Sequence, residues 1–145
     1  MKYILTILIT FFAVSSNAQV KKKLHQAFEL PDENTEVTLD IFDEFEVEKW
    51  ASNNIMIVTT ITLESGIQHV LDFYVSEGRY DVGKSGEKKS LTLTSKDKVR
   101  KQMKYKDALI YEIVEMKLFI PENYEFEDKN RLVKKLEDTV LSIDN

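Results

Sequence analysis

A chain of 145 residues that is 43% apolar and 31% charged has the makeup of one globular domain, which argues against disorder. Its net charge of −5 counts against nucleic acid and anionic membrane as partners. The absence of cysteine excludes disulfides, so the core alone must hold the fold.

The N-terminus reads as a secretory signal over residues 1–18. Lys2 gives a small positive start, residues 3–14 are apolar, and Ser16 and Ala18 stand at the −3 and −1 positions of a cleavage site before Gln19. The twelve residues 3–14 would span only about 18 Å as a helix, against a hydrocarbon core of roughly 30 Å, which argues against a membrane anchor. Gln19 rather than cysteine follows the cleavage point, so the usual lipid-attachment residue is missing. Cleavage would leave 19 basic and 25 acidic residues, a net charge of −6, in a chain 19–145.

Residues 19–25 are polar and basic and are expected to be a loose mature N-terminus. A short strand is predicted at 27–30, stopped by Pro31, with a turn at Asp32-Glu33-Asn34. The stretch 37–63 organises the rest. Val37, Leu39, Ile41, Phe45, Val47, Ile55, Ile57, Ile61 and Leu63 occupy odd positions, and Asp40, Glu46, Glu48, Thr60 and Thr62 even ones. That is the period of a strand with one buried face. The turn-prone Ala51-Ser52-Asn53-Asn54 predicts that the two halves pair as a hairpin.

The period then changes. Ile67, Val70, Leu71, Tyr74 and Val75 lie on one helical face, with Ser65 and Gln68 in capping-box spacing and Gly78 placed for a left-handed C-terminal cap. This predicts a helix over 66–77. A short strand at 79–82, a turn at 83–86 and a strand around Leu91 and Leu93 follow. Residues 96–106 read as a loop or a lysine-protected edge strand. Residues 108–120 form the second long strand. It is apolar on both sides over much of its length and so is expected to be central, ending at Pro121. Residues 130–143 have helical spacing, with a strand at 139–143 as the competitor. The expected class is mainly β with one or two helices, a strand-rich sandwich or short solenoid-like sheet covered by the helix at 66–77.

No residue set forms a catalytic, cofactor or metal motif. His25 and His69 are far apart and read as surface residues, and no H-x-x-x-H pair is present. The acidic run Asp40, Asp43, Glu44, Glu46, Glu48 lacks the order of a calcium loop and reads as a solvent face. Between Lys84 and Lys106 nine basic residues stand against Glu87 and Asp97, an edge kept soluble by lysine or a groove for anionic polymers or headgroups. Candidate contacts for a ligand or partner are Trp50 at a strand end, Arg79 and Tyr80 after the helix, and Lys98, Arg100 and Lys101 in the basic segment. The structural alternatives are a Trp packed over the sheet end, an Arg paired with a carboxylate and a Tyr at the core edge.

The VTLDIFDEFEVEKW and NNIMIVTTI segments and the late MKLFIPENYEFE strand resemble the head GIN-domain auto-transporter adhesin family. Ile120-Pro121 corresponds to that family's late proline step, and Trp50 with Asn53-Asn54 to its aromatic-plus-turn pattern. The resemblance implies a strand-rich solenoid-like or sandwich fold and a surface or periplasmic role, with no catalytic residues to carry over. The expected function is therefore an exported, non-enzymatic interaction module, adhesin-like or envelope-associated. Its partner would be an envelope protein or surface glycan, with no nucleic acid, no cofactor and no transmembrane anchor after cleavage. The alternative is a periplasmic lipid- or glycan-binding protein with a cleft between helix and sheet.

Overall fold

The computed structural model describes residues 19–136. The predicted signal segment 1–18 and residues 137–143 of the predicted second helix lie outside them. The described chain is a strand-rich sandwich. Its elements are β1 (Val20–Glu29), β2 (Glu36–Asp40), β3 (Phe45–Trp50), β4 (Asn54–Glu64), α1 (Gln68–Ser76), β5 (Val82–Glu87), β6 (Ser90–Ser95), β7 (Met103–Tyr105), β8 (Ala108–Pro121), β9 (Tyr124–Phe126) and β10 (Arg131–Lys134). One sheet has the order β1-β4-β8-β3, with β7 paired to β8; the other has the order β5-β6-β2-β10-β9.

The odd-position period holds in β2 and β4, where Val37, Leu39, Ile55, Ile57, Ile61 and Leu63 are all buried, but not in β3, where Phe45 is half-buried and Val47 is exposed at the sheet edge. The predicted hairpin does not form. β2 belongs to the second sheet, and β8 lies between β3 and β4, antiparallel to β4 through Val58↔Lys117 and parallel to β3 through Glu46↔Lys117. The most apolar strand thus has a neighbour on each side. β3, with Glu46, Glu48 and Lys49, takes the edge, where charge resists further pairing.

Residues 19–25 are not loose. They open β1, which pairs with β4 from Val20↔Leu63 to Glu29↔Asn54. Its lysines suit an edge strand: Lys21, Lys23 and His25 point outward, while Leu24 packs towards the helix and Lys22 reaches Asp72 at 2.6 Å. Gln26 clasps the other sheet by donating to the Val82 carbonyl at 3.1 Å and accepting from the Val82 N–H at 3.0 Å. The turn at Asp32-Glu33-Asn34 forms as expected, with the Asn34 N–H on Asp32 Oδ1.

Two clusters make the core. Between the sheets, Val37, Leu39, Leu91, Leu93 and Leu132 meet Ile55, Ile57, Leu118 and Ile120. Beyond the end of the second sheet, α1 sets Val70 and Leu71 on Ile61, Leu63, Met103 and Ile110. The helix is shorter than the predicted 66–77, and the capping box is absent. Ser65 lies at φ 56, the cap residue is Ile67 without a side-chain bond, and Gln68 instead donates to Asp72 at 3.1 Å. The C-terminal prediction holds. Gly78 has φ 75, its N–H donates to the Val75 carbonyl, and the Arg79 N–H donates to Tyr74, the two bonds of a Schellman cap.

Three more expectations are corrected. Residues 79–82 are not a strand, since Arg79 and Tyr80 sit in the turn after the helix and β5 begins at Val82. Residues 83–86 are not a turn but part of β5, which folds back on β6 through Lys88-Lys89. Gly86 is required there by contact rather than by a turn: at φ 111 an added Cβ would stand 2.1 Å from the Ser90 carbonyl oxygen. Residues 131–134 are strand, not helix, because Arg131 and Leu132 pair with Thr38 and Val37 of β2 while Leu132 to Lys134 pair with β9. The 96–106 segment is a loop ending in β7. A two-residue turn with Lys106 at φ 47 and Asp107 at φ 66, the type I′ hairpin geometry, joins β7 to β8. No helix among the described residues is long and apolar enough to cross a membrane.

Candidate functional site

The structure brings three of the sequence-predicted site residues together in one buried network. The Arg79 guanidinium grips Glu112 with both arms, Nε to Oε2 at 3.1 Å and Nη2 to Oε1 at 2.5 Å, and Nη2 also donates to the Lys101 carbonyl at 2.9 Å. Tyr80 donates its hydroxyl to the same carboxylate at 2.8 Å. Arg100 lies over the Tyr80 ring at 5.1 Å and the Phe42 ring at 5.4 Å, and binds Asp43 through two bonds of 2.7 and 2.6 Å. Its Nε is buried without a hydrogen-bond partner. Burial opposes the charge on Arg79, but the hydrogen bonds and charge of Glu112, with Tyr80 and Asp97, outweigh it and hold the guanidinium above its ordinary pKa. Burial, and then the hydrogen bond to Glu112, push the Tyr80 phenol well above its ordinary value. The network therefore holds its protons tightly and ties the turn after α1 to β8.

The other predicted residues lie elsewhere. Lys98 pairs with Asp40 on the surface, and the Lys101 side chain is exposed. Trp50 ends β3 opposite Pro121, donates Nε1–H to the Asn54 carbonyl at 2.9 Å and leans on Phe119 at 5.8 Å between ring centroids. Trp50 thus belongs to a different place, the outer face of the β1-β4-β8-β3 sheet.

That face is the main candidate site. Direct pairing aligns His25, Val58, Lys117 and Glu46 across all four strands, with Lys23, Thr60 and Glu115 on the next rung and Ala27, Met56, Phe119 and Glu48 on the other side. A groove of about 740 Å³ runs over it, walled by Lys23 and His25 at the β1 edge and by Glu44 and Glu46 at the β3 edge, with Met56, Val58 and Phe119 in its floor. Lys117 Nζ donates to Glu48 at 2.7 Å, with Glu46 at 3.9 Å; the hydrogen bond and charge of Glu48 raise the lysine's pKa. Further along β8, Tyr111 and Ile113 are 59% and 46% exposed. The inner face of the same strand is filled by the core, so the apolarity of β8 on both sides leaves one side in solvent. Among the described residues no group of three or more His, Cys, Asp or Glu side chains is arranged to hold a metal ion.

No family model, no curated protein and no solved structure matches the chain. Two features escaped the sequence reading. Asp43 belongs by pattern to the solvated acidic run, yet its side chain is only 10% exposed against Arg100. Glu112 interrupts the inward row Ile110, Val114, Met116, and a carboxylate at such a position is the available signal for a buried cation nearby.

Proposed function

We propose that this protein is an exported, non-enzymatic interaction module, adhesin-like or envelope-associated, that works through the outer face of the β1-β4-β8-β3 sheet. The exposure of Tyr111 and Ile113 on β8, over the stretch where β4 alone pairs with it, carries this reading. Large apolar side chains grouped on a sheet face mark interaction surfaces more often than plain solvent faces. The signal-like N-terminus and the resemblance to the head GIN-domain adhesins support the envelope setting. The space beneath α1 is filled by Leu71, Ile61, Leu63 and Met103, all fully buried, which favours the sheet face over a cleft between helix and sheet as the place where a lipid or glycan would bind. The engagement of Arg79 and Tyr80 with Glu112 favours the face in the same way.

Site-specific photo-crosslinking in the producing cell tests the proposal. A photo-reactive residue at Ile113 should give discrete adducts in the envelope fraction, and one at Thr92, on the outward side of the other sheet, should not. Equal labelling from both positions, or none from Ile113, would count against the proposal.

A further inference from the structure

The outer face is electrically polarised across its width. Lys21, Lys23 and His25 line the β1 edge, while Glu44, Glu46 and Glu48 line the β3 edge, with Lys117 offsetting part of the acidic charge. Between the two lies a band of apolar and threonine side chains from β4 and β8, interrupted by Glu115 and Lys117.

We propose that this face binds a second copy of the chain, as a two-fold dimer in which the cationic β1 edge of one protomer lies over the acidic β3 edge of the other. The proposal rests on the reading of this face as an interface and names its partner. Two sheet faces can be related by a two-fold axis along the strands or across them. An axis across the strands puts β1 on β1 and β3 on β3, like charge on like. An axis along the strands puts β1 on β3 at both ends, so each cationic edge meets an acidic one twice over. The same operation lays β8 of one copy over β4 of the other and covers Tyr111 and Ile113. Twisted sheets pack face to face with strands within about 30° of one another, which this axis permits. A nucleic acid or an anionic membrane would be attracted by β1 and repelled by β3.

The size of the face fits a reversible dimer. Four strands at about 4.8 Å spacing and roughly 30 Å of strand length give on the order of 600 Å² a side, a little under the ~800 Å² of a standard interface. The interface is isologous, so reversing either edge should weaken it and reversing complementary edges on two chains should restore it.

Sedimentation velocity of the purified protein from about 1 to 200 μM, a range that brackets a micromolar constant, tests this. The unaltered protein should show a concentration-dependent dimer. Glu44→Lys/Glu46→Lys and Lys23→Glu/His25→Glu, which this axis sets rung against rung, should each weaken it by about tenfold or more, while an equimolar mixture of the two variants should return to the unaltered affinity as a mixed dimer. Circular dichroism melts establish that both variants are folded, and both pairs are on the surface. A monomer at every concentration, a dimer indifferent to both reversals, or a mixture no tighter than its components would overturn the proposal. A monomer that dimerises only when residues 137–145 are removed would also overturn it, giving the face to the chain's own C-terminal segment. A monomer that still crosslinks to an envelope component from Ile113 removes only the self-partner and leaves the interaction-module reading standing. A monomer without such adducts removes both.

Discussion

Arg79 and Glu112 form a salt bridge whose side chains are 6% and 19% exposed. Removing one member of a buried pair leaves an uncompensated charge, at a cost of about 3–5 kcal/mol, whereas replacing both by apolar groups is often neutral. Arg79→Met and Glu112→Leu should each lower the unfolding free energy by roughly that amount. The double variant should lose much less than their sum, as read from urea melts in a double-mutant cycle. Tyr80 adds a pH dependence. Folding raises its pKa, so the native state keeps a proton that the unfolded chain releases above about pH 10. Its contribution is complete below about pH 10 and declines as pH rises above it. Tyr80→Phe should therefore cost about 1 kcal/mol at neutral pH through the lost hydrogen bond, and that cost should shrink in melts above about pH 10. At this scale the sequence offered half of the network. The pairing of an arginine after the helix with some carboxylate was foreseeable, and so was a tyrosine at the core edge. The carboxylate's identity was not, because Glu112 is 33 residues away and its position depends on how β8 is turned.

The helix is the element on which residue pattern and structure agree best. Its stripe survives with Leu71 fully buried and Val70 nearly so, although Ile67 at its start is 37% exposed. Leu71→Ala should leave a cavity and cost about 2–5 kcal/mol. Gln68→Ala loses one exposed bond to Asp72 and should cost well under about 1 kcal/mol. His69→Ala gives up only an edge contact with Tyr105 at 5.4 Å and should be nearly silent. A denaturant series that placed His69→Ala level with Leu71→Ala would contradict the packing of α1. Strand interiors were legible for the same reason as the helix: a one-sided core imposes a period, and Leu91, Leu93, Ile55 and Ile57 show it plainly. Strand ends and polar strands were not. β1 hides behind three consecutive lysines, and β5 behind two glycines, because an edge strand needs charge and a tight hairpin needs Gly86. Local propensity reads both as loop.

At the scale of the whole molecule the least legible property was the order of strands. Pairing β3 with β8 joins residues about seventy apart, and nothing within the 37–63 stretch distinguishes a neighbour from a strand one place further away. A hairpin across this short break that keeps the odd positions on one face and pairs Trp50 with Asn54 would set Glu46 directly opposite Val58. In the structure Lys117 lies between them, paired with both. Two strand spacings separate Glu46 from Val58, about 9.6 Å. A disulfide needs Cα atoms within about 7 Å. The chain has no cysteine of its own, so engineered pairs can be read without background. Val58→Cys/Lys117→Cys should oxidise readily in dilute solution to a fast-migrating monomer on a non-reducing gel. Closing a loop that long should also raise the unfolding free energy by up to about 4 kcal/mol, less any strain. Glu46→Cys/Val58→Cys should stay reduced under the same conditions, or give only slow intermolecular products. All three sites lie on the outer face, so neither pair disturbs the core and a difference between them reports strand order rather than loss of fold. If the Glu46/Val58 pair closed as fast as Val58/Lys117, β3 and β4 would be neighbours. The β1-β4-β8-β3 order would then be wrong, and with it the separation of cationic and acidic edges on the outer face.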